Sequence, residues 1–473
     1  MSSASPIAPA QPATRRPAAR SSAVTTARAG AWLGAALWAA FAGFAAVLTL
    51  VPAVRGAIDG LAQGIALLTL FVAAIVTTFS RRYMRADARP GRFFAGIALL
   101  VASVLVFACA GNLLVLAAGW CASGLLLARL IGHAADWAEA RRAARRARAA
   151  FALGDAALLA ALALLGLSAG TVRLDGVLAA APHLPPAIVV PVALLLVVAA
   201  AARCALPPFA GWLLSSMTAP TPVSALMHAG LVNAGGFLLI RFAPLLEAAP
   251  LARGTAIAAG LVAALYGVGV MSVRPDVKRA LAGSTVSQMG FMIMSCGLGA
   301  YAAALWHLVA HGLFKAWLFL GSGSAVGAHC ARTTGRSDQA LLVAAVALVT
   351  LALAGWLVLT TGAAGSLVPL LLGLATAVVT LLGGLRGDAP LPARLAITAL
   401  VVGLAGFHTA GLALARHLIG PDAAPPLPGW ALLILLAGFL AAWVWQQSRQ
   451  ARAAPLPPAL YIRLLNAGAN RAP

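Results

Sequence analysis

The stretch His307-Leu-Val-Ala-His311-Gly-Leu-Phe-Lys315 places three ionisable side chains at four-residue intervals inside an otherwise apolar segment. On a helix that spacing makes one slightly spiralling stripe, rising about 12 Å from first to last at roughly 1.5 Å per residue. Its flanks, Tyr301 to Trp306 and Ala316 to Leu320, read as the body of a membrane helix. A Lys near the bilayer centre costs roughly 2.5 to 3.5 kcal/mol even on the lenient insertion scale, so a stripe kept there is a functional candidate. Residue usage sharpens this, because Lys278 and Lys315 are the only lysines among 33 basic residues. Arg keeps its proton under almost any condition, whereas a desolvated Lys, like His, can release one near neutral pH.

Two other readings of the stripe compete. His307 and His311 could be helix-packing residues with Lys315 snorkelling to an interface. Two His at i and i+4 also share a face suited to a metal, but no Cys, Asp or Glu lies nearby in sequence to complete a shell. Proton handling fits the three residues together.

The chain of 473 residues is 62% hydrophobic and 9% charged, with a mean hydropathy of +0.95. Such a composition points to an all-α polytopic membrane protein. Apolar runs long enough to span fall near 31–53, 60–79, 93–110, 112–131, 149–170, 186–206, 220–246, 254–272, 280–299, 303–327, 341–361, 366–385, 393–416 and 428–446, about fourteen helices. The net charge of +22 sits in short loops between them, which argues for topology rather than nucleic-acid binding. With a cytoplasmic N-terminus, Arg81 to Arg92, Arg141 to Arg148, Arg274 to Arg279, Arg332 to Arg336, Arg386 to Arg394, Arg449 and Arg452 all fall on one side, so both termini are expected in the cytoplasm. The expected organisation is a disordered tail over 1–30, a transmembrane domain over 31–446 and a C-terminal tail over 447–473. Five scattered Cys, without CxxC spacing, imply neither a disulfide framework nor a zinc ribbon.

A second informative stretch runs from Arg203 through Pro207, Pro208, Pro220 and Pro222 to His228. Pro207 and Pro208 cannot continue a helix, so the span from 186 must break, leaving a short half-helix near 209–217. Broken helices at membrane depth need protein or a water-filled cavity to satisfy the freed backbone. Two ionisable residues, Arg203 and His228, flank this break. Next, Asp276 is placed to cap a helix whose first half is polar, with Ser284, Thr285, Ser287 and Gln288, while Lys278 lies at headgroup level. Asp155, Ser284, Ser287, Gln288 and Lys278 are candidates either for a hydrated path or for interhelical packing. The segment 134–150, rich in Arg and helical in propensity, reads either as a helix lying on anionic headgroups or as a docking loop for an acidic partner.

The texts APTPVSALMHAGLVNAGGFLL at 219–239, DVKRALAGSTVSQMGFM at 276–292 and HLVAHGLFKAWLFLGSGS at 307–324 together resemble the antiporter-like membrane subunits of respiratory complex I, multisubunit cation/proton antiporters and membrane-bound hydrogenases. The resemblance covers about residues 200–327. It implies a proton path at mid-membrane through Arg203, His228, His307, His311 and Lys315. The chain departs from the family pattern in three places: Arg203 stands where a Lys is usual before the broken-helix Pro, Cys121 follows Trp120 where a Glu is usual, and 341–361 carries neither Lys nor Pro. ARLIGHAAD, the basic 140–162 segment and the short C-terminus are similar to one branch, the DabB-type membrane subunits of inorganic-carbon complexes. That branch implies a large soluble, zinc-dependent DabA-type partner resembling a β-carbonic anhydrase at the cytoplasmic face, with no cofactor in this chain itself. A redox-complex or antiporter subunit, and a non-conducting scaffold, are the alternatives.

Overall fold

The computed structural model describes residues 17–325, 337–361, 366–385, 390–451 and 456–467. Residues 1–16 of the expected N-terminal tail, the Arg332 to Arg336 loop, Cys330, Arg386 and Arg452 lie outside the described residues. Helix is the only regular structure described.

The first block of the chain forms α1 (Pro17–Leu50), α2 (Pro52–Ala57), α3 (Gly60–Tyr83), α4 (Pro90–Ala108), α5 (Leu113–Ile131) and α6 (Ala138–Ala169). Helix starts follow local chemistry. Asp59 and Asn112 accept from the backbone N–H groups of Ala62 and Val115 at 2.9 and 2.8 Å, and Pro opens α2 and α4. Two expectations change here. Residues 17–30 belong to α1 rather than to a tail, and Gly30 packs against Phe94 at the start of α4. The basic segment at 134–150 is largely the N-terminal part of α6, continuous with the span that follows. At 32 residues α6 is about 48 Å long, well beyond a hydrocarbon core of about 30 Å. Its alanine face, Ala140, Ala143, Ala144 and Ala147, is buried against the bundle while Arg141, Arg142, Arg145 and Arg148 are exposed. The apolar face of this segment is thus covered by protein, and what it leaves exposed is its arginines.

The chain then passes through α7 (Leu174–Ala180), α8 (Pro186–Arg203), α9 (Gly211–Leu214), α10 (Thr221–Ala229), α11 (Ala234–Arg241) and α12 (Ala243–Glu247). The break expected after Arg203 is present. Pro207-Pro208 is a cis peptide, α9 is the short half-helix, and Pro220 and Pro222 introduce α10. Backbone groups freed by the break find partners within the protein: Leu206 N–H donates to Ala201 O at 2.9 Å, and the Trp212 indole donates to Ala202 O at 3.0 Å. The span 220–246 is interrupted as well, by a 3-10 turn at Leu231–Asn233 between α10 and α11.

Next come α13 (Pro250–Val273), α14 (Val277–Gly297) and α15 (Tyr301–Gly321), followed by α16 (Ser337–Thr361), α17 (Leu367–Leu385), α18 (Leu391–Ile419), α19 (Gly429–Ala451) and α20 (Pro458–Leu465). Each expected span coincides with one or more helices where it is described, and among the described residues twelve helical segments are long and apolar enough to cross a membrane. The helix α14 falls short of that measure because its first half is polar, and in α17 the apolar stretch counted is only Leu367–Val379. The last helix, α20, packs Leu464 against Gly269 of α13, while Arg274 bonds Ala467 O.

Helices α13 and α14 pack backbone against backbone. A Cβ on Gly260 or Gly267 would meet the α14 backbone at 2.5 and 2.3 Å, and one on Gly290 would meet the α13 backbone at 2.5 Å. Small residues at seven-residue intervals thus let the two backbones touch, as membrane helices without a hydrophobic drive between them often do. This seam fixes the position of α14, whose carbonyls face the polar stripe of α15. Gly267→Leu should overpack it by about 1–3 kcal/mol and lower the melting midpoint of the detergent-solubilised protein. Gly254→Ala, on the same helix where a Cβ meets nothing within 4 Å, should leave the midpoint unchanged or slightly higher.

Candidate functional site

The stripe lies on α15, with His311 and Lys315 buried and His307 half-buried. Lys315 is 1% exposed, and its Nζ donates to Leu281 O on α14 at 2.9 Å. The Thr285 hydroxyl donates to the same carbonyl at 3.0 Å, and His228 on α10 lies 2.9 Å from Thr285 Oγ1 through Nδ1. Since the hydroxyl proton is committed to Leu281 O, His228 is the donor in that contact, which places its proton on Nδ1 and leaves Nε2 as a lone pair. The result is a connected sequence: His228, Thr285, the Leu281 carbonyl, Lys315. A carbonyl cannot relay a proton, but sharing it holds Thr285 Oγ1 and Lys315 Nζ within about 6 Å of each other.

His311 and His307 extend the cluster along α15, with rings parallel to within 15° and centroids 5.8 Å apart. His311 is within electrostatic reach of His307, Lys315 and His228, so the four bases form one group. Both ring nitrogens of His311, and Nε2 of His307 and His228, are buried without a hydrogen-bond partner. Buried polar atoms are rarely left unpaired, and four such nitrogens in one cluster mark a place built for water or for a transferred proton. Backbone packing brings the elements this close: a Cβ on Gly312 would lie 2.6 Å from Ala229 O, so only glycine lets α15 meet the end of α10. Asn233, at the 3-10 turn, donates to Ala229 O and lies 3.4 Å from Leu308 O, which ties the turn to the same helix.

Arg203 stands apart. Its guanidinium is 2% exposed, donates to Asp155 Oδ1 at 3.0 Å, to Trp120 O at 3.1 Å and to Ser123 Oγ at 3.2 Å, and lies over the Trp120 ring at 4.3 Å. Among the described residues no hydrogen bond or ion pair joins it to His228. Cys121, at the position of the usual family Glu, cannot supply that carboxylate, and Asp155 does. The carboxylate partner is therefore present, but it comes from α6 instead of α5. Of the remaining candidates, Asp155 is a counter-ion to Arg203, Lys278 sits in the first turn of α14, and no side-chain hydrogen bond ties Gln288 to the cluster among the described residues. No side-chain bond ties Ser284 or Ser287 to the cluster among the described residues. Thr285, the neighbour between them, carries the contact instead. Trp306, Asn233 and His408 also belong to the surroundings; a lone His in the apolar span 393–416 was the signal available for the last.

A model of the NADH:quinone oxidoreductase/Mrp antiporter transmembrane family matches residues 110–403, more than half of the chain. The chain belongs to that family. A probable inorganic carbon transporter subunit DabB1 of Halothiobacillus neapolitanus is 40% identical over 57% of this chain and 49% of its own length. An NADH-quinone oxidoreductase subunit L of Mycobacterium tuberculosis is 39% identical over 57% of this chain and 43% of its own. Among solved structures, the Mrp complex of Dietzia sp. DQ12-45-1b matches with a TM-score of 0.61 and 28% identity over 86% of this chain and 51% of that one. The chain spans about half the length of the curated relatives it matches.

The two clusters respond differently to substitution. Asp155→Asn leaves a buried guanidinium uncompensated and should cost about 3–5 kcal/mol, whereas the double variant Asp155→Leu/Arg203→Met should recover most of it; thermal unfolding in detergent checks both. Thr285→Val orphans the His228 N–H and should cost about 1–3 kcal/mol, with Thr285→Ser restoring the wild-type midpoint.

Proposed function

We propose that this chain is the proton- or cation-conducting membrane subunit of an energy-coupled inorganic-carbon uptake complex, seated in the cell inner membrane with both termini cytoplasmic. The single observation that carries the conducting part is the buried cluster of His228, Lys315, His311 and His307, held by α14 carbonyl and hydroxyl groups and with no carboxylate bonded to it among the described residues. Four uncompensated bases repel one another when charged, so a proton taken by one disfavours a second on its neighbours. A group of this kind passes protons one at a time. Arg203, locked to Asp155, shapes the local potential and passes no proton on.

The carbon-uptake part is supported by the DabB1 relative. In this reading a large soluble zinc-dependent partner of the DabA type performs CO2 hydration at the cytoplasmic face, and the exposed arginines of α6 are available to it. The nearly equal identity to a subunit L favours a second reading, a proton-pumping subunit of a quinone oxidoreductase or cation/proton antiporter.

Affinity purification from the native membrane, with mass spectrometry and zinc analysis of the complex, separates the two. A stoichiometric large zinc-containing soluble protein is expected; recovery of quinone-reductase or antiporter subunits would overturn the carbon-uptake reading. In the same strain Lys315→Gln should abolish growth in air without added CO2 while the complex still assembles. Undiminished growth of an assembled Lys315→Gln complex would instead leave the chain a scaffold.

A further inference from the structure

Beside the track, between α14, α15, α17 and α18, lies a cavity of about 90 Å³ lined by residues that include Phe291, Trp306, His307, Ser366, His408 and Leu412. That volume is large enough for more than one water. It is walled by His307, whose Nε2 is buried and unpartnered, and by His408, near the middle of the 29-residue helix α18. His408 is otherwise exposed on the outer side of α18, and a histidine near the middle of a spanning helix is costly unless it has a use or a partner. His408 has one partner: the Trp306 indole N–H donates to its Nδ1 at 2.9 Å.

That bond fixes the chemistry of His408. An indole nitrogen only donates, so Nδ1 must accept, and the proton of the neutral ring resides on Nε2. A second proton on Nδ1 and the bond from Trp306 exclude each other. Trp306 is set into α18 for this contact, edge-on to Phe407 with centroids 5.0 Å apart, and a Cβ on Gly411 would lie 2.3 Å from its ring. Trp306 also directly precedes His307 in the chain.

We propose that His408 is a fourth proton-exchange histidine of the track, reached from His307 through this cavity and gated by Trp306. The inference rests on the proton-conducting reading above and names a branch that reading did not contain. In the step, a protonated His307 gives its proton to cavity water, and that water delivers it to His408 Nδ1. An N–H bond breaks on His307, one forms on His408, and the indole loses its acceptor; His408 then releases that proton from Nδ1 to water and onward, the indole regains its acceptor, and no electrons move. Of the titratable groups on the elements packed around His408, His307 shares the cavity, and α17 carries none from Leu367 to Leu385. The wall from α14 contributes Phe291, and the turn before α17 contributes Ser366. On α18 itself the nearest are Arg416 and His417, two turns or more away.

The test uses the whole complex isolated from its host membrane and reconstituted in liposomes, with proton flux followed by a pH-sensitive dye across a range of pH. His408→Asn retains an acceptor for Trp306 but cannot be protonated, and flux should fall at least about tenfold. Trp306→Phe removes the indole N–H while keeping an aromatic ring against Phe407, and should move the pH profile of flux to the alkaline side, because Nδ1 no longer has to release a donor before it is protonated. Normal flux in His408→Asn with flux lost in Lys315→Gln would overturn this inference alone; normal flux in both overturns the conducting reading with it. A fall in His408→Asn with an unmoved Trp306→Phe profile would reduce His408 to packing. Should His408→Asn fail to assemble, Trp306→Phe, which keeps His408, decides by its profile.

Discussion

An amine buried in a membrane span without a carboxylate beside it has to take its acceptors from the backbone, and Lys315 takes one from Leu281. That one carbonyl also holds Thr285, and through Thr285 it orients His228. The geometry of the cluster therefore depends on where α14 lies to within a few tenths of an ångström. The seam of glycines with α13 supplies that constraint from behind, and the contact of Gly312 with Ala229 O supplies it from the side. Packing and polar chemistry are the same problem here: the helices approach closely because their residues are small, and the close approach puts carbonyls and hydroxyls where an amine and an imidazole can use them.

The Arg203 cluster follows the opposite logic. Its charge is met by a carboxylate, a carbonyl, a hydroxyl and two aromatic faces, Trp120 and Phe151. A guanidinium so fully bonded and always protonated gains nothing by moving. Cys121 carries no charge here, and Asp155 brings the carboxylate from the next helix. The result in physical terms is a neutralised charge beside the broken helix.

Much of this was legible from residue spacing. The four-residue interval of His307, His311 and Lys315 and the prolines after Arg203 predicted a stripe and a break, because helical period and the missing proline N–H act locally. The partners of those residues were not legible. Ser284, Thr285, Ser287 and Gln288 are equivalent in sequence, and only the rotation of α14 about its axis selects Thr285. Asp155 lies 48 residues from Arg203, and His408 lies 102 from Trp306; nothing in local pattern joins them. The Arg-rich 134–150 segment reads as helical from its composition, but its continuity with the span of α6 does not, for a related reason. Its composition describes the exposed face, whereas the buried alanines that make it part of α6 are ambiguous until their neighbours are known.

The two clusters together limit where charge can travel. A proton crossing the bundle must leave each site as readily as it enters, which requires bases whose charged and neutral forms are both tolerated. Arg203 fails that condition through its own chemistry and through its bonded partner. The histidines and Lys315 meet it, since each has at least one orientation or nitrogen not committed to a fixed acceptor. The break at Pro207-Pro208 therefore acts on conduction indirectly. It ends α8 so that the chain can turn and re-enter as α10, and that re-entry sets His228 opposite Thr285, with its ring stacked at 4.2 Å on Phe319 of the helix that carries the stripe.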